Sequence, residues 1–246
     1  VDTVEEMASV KSVGVENVEV NGYSVLNAMD PLVAAMAAKA RGQKVFFATD
    51  PEHPVFRQHV REGGIGATAD KGMLMITRGT LRLPIAEIYE IPITFTGRAD
   101  FNVENCLASS LAAYVWGMKT EDIRAGLMTF TPTYAYNQGR MNLIPVKEFE
   151  VILDYCHNVS SYEAMKTFLS RVKAKRRIGV MGVPGDRRDE DIRSMATSVC
   201  QSFDHYVLRD DHLRGRKPGE VPAIFAETLK ANGVSSKASA PTSKLT

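Results

Sequence analysis

The second half of this sequence alternates short apolar runs with longer runs of helical periodicity. The apolar runs cover residues 149–153, 178–183 and 205–208, and apolar residues recur at helical spacing after each of them. Strands and helices that alternate in this way form a mostly parallel sheet with right-handed crossovers. We therefore predict an α/β fold with a Rossmann-like, mostly parallel domain over residues 140–246. Its tail, residues 235–246, is rich in Ser, Ala, Lys and Thr and is predicted to be disordered.

The first half of the sequence differs from the second half, because it contains two kinds of predicted strand. Two apolar runs frame a helical run at residues 31–41, which is the length of crossover that a parallel pair of strands needs. Alternating apolar and polar residues then extend over 65–95 and predict antiparallel strands. We place a hinge at Gly139, so that the predicted domains are residues 1–139 and 140–246.

The run Val-Ile-Leu-Asp-Tyr-Cys-His-Asn at residues 151–158 passes from apolar to polar side chains. A short apolar run bounded by polar residues predicts a fully buried strand, and Ser160–Glu163 has the spacing of a capping box at a helix start. We therefore expect Asp154, His157 and Asn158 on a loop at the carboxyl end of a strand, where ligands bind in open α/β sheets. An Asx-rich turn with a helix cap explains this stretch equally well.

Charged side chains also follow the next two predicted strands, at residues 184–191 and 209–219. If the three strands are parallel, the residues that follow their carboxyl ends would all lie at one edge of the sheet. Guanidinium groups bind phosphate or carboxylate, and the neighbouring acids can bind a cationic group or a metal. The polar residues after the three strands together predict a site for ligands that carry both anionic and cationic groups, although each charged run alone could be a solvated surface.

The charge balance and the cysteines limit the possible partners. The chain has 246 residues with 30 Lys and Arg against 29 Asp and Glu, and acids interleave the basic run at 209–217. We therefore expect no nucleic-acid partner. No apolar run approaches the roughly 20 residues of a membrane span, so we expect no membrane partner. Cys106, Cys156 and Cys200 are far apart in the sequence, which favours a reducing, cytoplasmic location.

Several motifs occur in the order and at the spacing of the Mur ligase superfamily. They are Asn27–Pro31, Gly97–Asn105, Phe130–Pro132, Asn137–Asn142 and Asp154–Asn158. Two further stretches, Val183–Asp191 and Leu213–Glu220, closely resemble the Mur-ligase-like part of the cyanophycin synthetase family. By this resemblance, residues 1–139 are the second half of the central ATPase domain, and residues 140–246 are most of the C-terminal domain.

The resemblance implies an ATP-dependent acid–amino-acid ligase. In that superfamily a carboxylate is activated as an acyl phosphate and an amine displaces the phosphate; in the cyanophycin synthetases, arginine is joined to the side-chain carboxylates of polyaspartate. Asp154 and His157 would be catalytic. The residues implied to bind ATP are Asn102, Asn105, Arg140, Asp154, His157 and Asn158, and those implied to bind substrate are Asp186, Arg187, Arg188, Asp211, Arg214, Arg216 and Lys217. The expected partners are ATP, arginine and an anionic polyaspartate or cyanophycin-type polymer, with the parent protein a homo-oligomer.

The sequence departs from the superfamily pattern in two respects. The superfamily's phosphate-binding loop and Mg²⁺ ligands precede the motifs found here, and no G-x-x-x-x-G-K-[ST] sequence is present. We therefore expect Mg²⁺ to be a cofactor held by residues N-terminal to this chain, no metal ligands within it, and no ATP turnover by the chain alone. Cys156 and Val159 also replace a usual alanine and proline. The alternatives are a catalytically inactive scaffold or polymer-docking module, or another Mur-type ligase, of peptidoglycan or folylpolyglutamate synthesis.

Overall fold

A computed structural model describes residues 3–235 of the chain. These residues form two compact units that divide between Asp154 and Tyr155. The first unit contains α1 (Val4–Glu16), β1 (Tyr23–Asn27), α2 (Pro31–Ala35), β2 (Gln43–Ala48), α3 (Pro54–Arg61), β3 (Ile65–Asp70), β4 (Met73–Arg78), β5 (Leu81–Glu87), α4 (Asp100–Val115), α5 (Thr120–Thr129), β6 (Asn142–Val146) and β7 (Phe149–Leu153). The second contains α6 (Val159–Arg171), β8 (Ile178–Met181), α7 (Asp189–Ser198), β9 (His205–Leu208) and α8 (Glu220–Ala231). The predicted disordered tail lies almost wholly outside the described residues.

A five-stranded sheet in the order β1-β2-β3-β4-β5 organises the first unit. The first three strands are parallel and the last two are antiparallel to their neighbours, which confirms both predicted kinds of pairing. The antiparallel region ends at Glu87 and is followed by two short 3₁₀ helices, so the predicted extension of strands to residue 95 is wrong. Helix α4 packs its fully buried Leu107 and Leu111 against Leu74 and Ile76 of the sheet.

The β6–β7 hairpin belongs to the first compact unit, and the domain division that we predicted at Gly139 stays a prediction. The backbone N–H of Leu143 donates a 2.9 Å hydrogen bond to Pro132 O. Asn142 is fully buried and bonds to the turn before it. These bonds tie the start of the hairpin to the preceding loop, so the compact division falls after the hairpin.

Parallel strands β8 and β9 form the centre of the second unit, in agreement with the predicted α/β class. One face of this pair is covered, since Met181 packs in a core with Ile192, Met195 and Phe225 from α7 and α8. The opposite face is open, and Val180 is 65% exposed. The apolar run at residues 178–183 therefore forms a strand that is buried on only one face.

The prediction of a buried strand at residues 151–153 is also wrong. Val151 is 38% exposed and Leu153 is 40% exposed. Within residues 3–235, β7 pairs with β6 and with no other strand. Because β7 is not part of the β8–β9 sheet, our expectation that Asp154 leaves the same sheet edge as the two charged loops is wrong.

Candidate functional site

The two asparagines of α4 share one face of the helix, as their spacing predicts. Asn102 is 5% exposed, and its Nδ2 donates a 2.7 Å hydrogen bond to Ile93 O. Asn105 is exposed, and its Nδ2 donates to Asn102 Oδ1 at 3.2 Å. A buried amide therefore orients an exposed one, which can offer both a donor and an acceptor to the edge of a planar ring such as adenine.

A cavity of about 550 Å³ lies on a different face of α4. Its lining includes Thr49, Tyr89, Asp100 and Glu104. Burial, followed by the negative charge of Asp100, raises the pKa of the Glu104 carboxyl. The cavity is large enough for a small ligand, but its two acids would repel phosphates, so its lining does not fit the triphosphate of ATP. None of the residues that line this cavity was predicted as a site residue.

Asp154 lies beside the turn that carries Arg140. Its Oδ2 accepts a 2.9 Å hydrogen bond from the backbone N–H of Met141, the residue after Arg140. Met141 has a φ of 49°, in the left-handed region that non-glycine residues rarely adopt. The carboxylate thus stabilises a strained turn, and the fold brings Asp154 and the backbone next to Arg140 together within the first unit.

Asn142 organises the same turn, although it was not predicted individually as a site residue. Its Oδ1 accepts from Gly139 N at 2.7 Å, and its Nδ2 donates to Asn137 O at 2.7 Å. Only a position within the Asn137–Asn142 motif pointed to it. Since the side chain has no exposed surface, its amide serves the turn and not a ligand.

His157 is the third residue of the second unit, which begins at Tyr155. Its Nδ1 lies 2.9 Å from Tyr155 O, and its ring centroid lies 5.1 Å from that of Tyr155. A carbonyl oxygen can only accept, so this contact requires a proton on Nδ1 and leaves Nε2 of the neutral ring as an acceptor. The imidazole is therefore oriented, as a residue that binds or moves a proton needs to be.

Asn158 is the N-cap of α6. Its Oδ1 accepts a 2.8 Å hydrogen bond from Ser161 N, and Ser161 Oγ lies 3.2 Å from Asn158 N. The predicted capping box at Ser160–Glu163 is therefore wrong, because the helix begins at Val159 and a box of the same spacing, formed by Asn158 and Ser161, caps its start. The Asx-turn explanation accounts for Asn158 Oδ1, while the ATP contact implied for this residue stays a prediction.

The loops that follow β8 and β9 meet, as predicted for neighbouring parallel strands. Gly185 N donates a 2.8 Å hydrogen bond to His212 O. Arg214 Nη1 lies 2.6 Å from Asp186 Oδ2, and both side chains are about half exposed. This ion pair presents a guanidinium and a carboxylate side by side at the surface.

Arg216 is the most heavily engaged side chain of the two loops. Its guanidinium donates to Gly185 O at 2.8 Å and to Arg187 O at 2.7 Å. It also forms ion pairs with Asp189 at 2.7 Å and Glu220 at 2.8 Å. These two carboxylates raise the pKa of Arg216. Arg216 therefore bonds within the protein with most of the donors that we had expected to contact substrate.

Two more of the predicted substrate residues, Asp211 and Arg188, also form ion pairs within the protein. Arg209 lies 3.3 Å from Asp211, and Arg188 forms a two-pronged contact with Asp191 at 3.0 and 3.1 Å. The hydrogen bond from Arg188 lowers the pKa of the Asp191 carboxyl. Lys217 is exposed. Because most of these arginines already have carboxylate partners, the surface is zwitterionic and not a simple polyanion site.

Two classes of feature are absent from the part of the chain that the structure describes. No three His, Cys, Asp or Glu side chains gather there as ligands of a metal ion would. None of the helices in residues 3–235 is both long and apolar enough to span a membrane.

The chain is similar to a known protein family and to several known proteins. The family model described as "Mur ligase, glutamate ligase domain" matches residues 139–243. The chain is 42% identical to a cyanophycin synthetase of Geminocystis herdmanii over 94% of the chain and 26% of that protein. It is also 42% identical to a cyanophycin synthetase of Synechocystis over 93% of the chain and 26% of that protein. The chain thus spans about a quarter of the length of these curated relatives.

Solved structures agree at the level of fold. A UDP-N-acetylmuramoylalanyl-D-glutamyl-2,6-diaminopimelate–D-alanyl-D-alanyl ligase from Acinetobacter baumannii has a TM-score of 0.60 at 20% identity, over 91% of this chain and 44% of that one. A folylpolyglutamate synthase from Thermotoga maritima has a TM-score of 0.55 at 14% identity, over 85% of this chain and 52% of that one. The family match and the 42% identity to cyanophycin synthetases show that the chain belongs to the Mur ligase superfamily and is similar to part of the cyanophycin synthetases.

Proposed function

We propose that this chain is part of an ATP-dependent ligase of the cyanophycin synthetase type. Such an enzyme joins arginine to the side-chain carboxylates of a polyaspartate backbone through an acyl phosphate. The observation that carries the proposal is the identity of 42% to a cyanophycin synthetase, which extends over 94% of the chain. The span therefore includes the two charged loops of the second unit as well as the asparagines of α4.

The exposed Asp186–Arg214 pair supports an amino-acid ligand. A free amino acid carries a carboxylate and an ammonium group, and arginine adds a guanidinium. Arg214 can pair with the ligand's carboxylate and Asp186 with one of its cationic groups, so the ligand exchanges one ion pair for two. The solvent-exposed pair costs little to open, because exposed salt bridges contribute only about 0–1 kcal/mol.

The nucleotide contacts that the resemblance implies are proposed residue by residue. Asn105 would contact the adenine, with Asn102 orienting it, while Arg140, Asp154, His157 and Asn158 would contact the ribose and phosphates. ATP, when bound, supplies the phosphoryl group that activates the carboxylate. His157 holds a proton on Nδ1 through Tyr155 O, which leaves Nε2 to accept one. We assign no described residue to Mg²⁺, because no ligand cluster of the kind that Mg²⁺ needs is found among residues 3–235.

The loop charges weigh against a scaffold that only docks a polyanion. A polyanion site needs cations whose charge is available to the ligand. Apart from the Asp186–Arg214 pair, which opens at little cost, Arg209 and Arg216 each lie within 3.3 Å of a carboxylate of the protein. A polyaspartate chain would have to displace these internal carboxylates. A peptidoglycan-type ligase is disfavoured by the weaker similarity, which is 28% for a diaminopimelate ligase of Halalkalibacterium halodurans.

Equilibrium binding tests the amino-acid site directly. The chain should bind L-arginine and a short β-aspartyl-arginine peptide more tightly than polyaspartate in isothermal titration calorimetry. Arg214→Ala should weaken arginine binding by about tenfold, the effect of losing one charge-assisted pair. The control is Arg193→Ala, which removes an exposed arginine 4.0 Å from Glu227 on the same unit. Tighter binding of polyaspartate than of arginine, unaffected by Arg214→Ala, would favour the docking alternative.

Activity tests the ligase assignment. We expect no phosphate release from ATP by the chain alone, because its sequence has no phosphate-binding loop. We expect ATP-dependent polymer elongation from a chimera in which the chain replaces the matching quarter of the Synechocystis enzyme. Arg214→Ala in that chimera should raise the KM for arginine. Turnover by the isolated chain would contradict the first expectation, and a folded chimera without elongation would contradict the second.

A further inference from the structure

Arg216 lies at the junction of the two charged loops, and its contacts suggest a role different from ligand binding. We propose that Arg216 is a positioning residue, which clamps the loop after β8 to the loop after β9 and so fixes the geometry of the Asp186–Arg214 pair. The proposal rests on the proposed function, because that pair is the proposed amino-acid site. It assigns to Arg216 the role of a support and not of a contact for substrate.

The guanidinium has little capacity left for a ligand. Nε donates to Gly185 O, Nη1 to Glu220 Oε1, and Nη2 to both Arg187 O and Asp189 Oδ1. An arginine side chain has five N–H donors, so these partners take most of them. The side chain is only 18% exposed, whereas that of Arg214 is 49% exposed.

These bonds hold the backbone on both sides of Asp186. Gly185 precedes it and Arg187 follows it, and the carbonyl oxygens of both accept from Arg216. Gly185 N also donates to His212 O in the opposite loop. The backbone position of Asp186 is therefore determined by a side chain that comes from 30 residues further along the sequence.

The clamp also supports the turn that carries Arg214. Arg214 has a φ of 43° and Gly215 a φ of 94°, so two consecutive residues adopt left-handed backbone conformations. For a non-glycine residue this conformation is unfavourable and persists only where neighbouring contacts enforce it. Arg216, directly after this turn, is fixed by Asp189 and Glu220 at the starts of α7 and α8.

Three variants separate a clamp from a ligand contact. Arg216→Ala removes every bond, and Arg216→Lys keeps a positive charge near Asp189 and Glu220 but loses the planar fork that reaches the two carbonyls. Arg193→Ala is the control for loss of a surface arginine. If Arg216→Ala does not fold, Arg216→Lys carries the test, because it leaves the two carboxylates neutralised.

Nuclear magnetic resonance gives readouts that need no ligand. In Arg216→Ala and Arg216→Lys we expect hydrogen exchange at the Gly185 amide to accelerate by at least about tenfold, and the side-chain Nε–H signal of Arg214 to shift toward its solvent-exposed position. Millimolar guanidinium, and not sodium at the same concentration, should restore both signals in Arg216→Ala. A general loss of stability would not respond to a guanidinium ion in this way.

Arginine binding completes the test. We expect the affinity of the Arg216 variants for L-arginine to fall by about tenfold and guanidinium to recover it in Arg216→Ala. Unchanged Gly185 exchange with lost arginine binding would mean that Arg216 contacts the ligand, and the inference would be overturned. Lost protection with unchanged arginine binding would also overturn it. If the unmodified chain binds no arginine, the proposed function fails, while the Gly185 and Arg214 signals still decide whether Arg216 is the clamp.

Discussion

Replacement of Asn142 tests whether the turn after Gly139 is a flexible hinge or a fixed structure. In the structure this side chain is fully buried and makes two 2.7 Å hydrogen bonds, to Gly139 N and Asn137 O. Asn142→Ala removes both bonds and leaves a partly buried donor and acceptor without their partner. We expect the free energy of unfolding of the first unit to fall.

The magnitude follows from the two bonds. Each lost hydrogen bond that leaves a partly buried partner unsatisfied costs about 1–1.5 kcal/mol, so Asn142→Ala should destabilise the first unit by about 2–3 kcal/mol. Asn142→Asp keeps an acceptor for Gly139 N but directs an oxygen at Asn137 O and buries a charge, so it should cost at least as much at neutral pH. Asn137→Ala removes an amide from the same turn and should change stability by less than about 0.5 kcal/mol.

Hydrogen exchange followed by mass spectrometry is the appropriate assay, because peptides from residues before Asp154 report on the first unit separately from the second. Urea titration with far-ultraviolet circular dichroism gives the free energy for comparison. Equal stability of Asn142→Ala and Asn137→Ala would refute the reasoning. Rapid exchange of the Leu143 amide in the unmodified chain would do the same, since that amide is bonded to Pro132 O.

The remaining predictions concern glycines and a buried thiol. Gly185→Ala should destabilise the second unit by about 2 kcal/mol or more, because a Cβ there would collide with the carbonyl oxygen of Leu213. Gly126→Ala should instead stabilise the first unit by about 0.5–1 kcal/mol, because Gly126 lies within α5 and a Cβ there would meet open space. Urea titration measures both changes. Burial raises the pKa of the Cys106 thiol from 9.0 to about 11. The neutral thiol is thus favoured in the folded state, and its contribution to stability, up to about 2 kcal/mol, should be present below pH 9 and be lost as the pH rises to 11. Cys106→Ala should lack this part of the pH dependence, and an identical pH profile for the variant and the unmodified chain would contradict the assignment.

The local features of this protein follow from its sequence, because the physical signals behind them are local. Helical spacing places Asn102 and Asn105 on one face, and the crossover of suitable length between β1 and β2 implies their parallel pairing. The motifs of the superfamily are also local features, because each is recognised from consecutive residues. The meeting of the loops at Asp186 and Arg214 follows from the general rule that neighbouring parallel strands end at one edge of a sheet.

Tertiary structure decided which faces are covered and which polar groups serve the fold. Apolar sequence alone does not tell whether a strand is buried on both faces, because that depends on the elements that pack against it. Val180 and Val151 are accordingly exposed. Arg216 and Asn142 look like surface or ligand residues in sequence, and they bond within the protein only because the chain brings backbone carbonyls and amides to them. Their hydrogen bonds depend on the positions of whole loops, which emerge only when the loops are assembled.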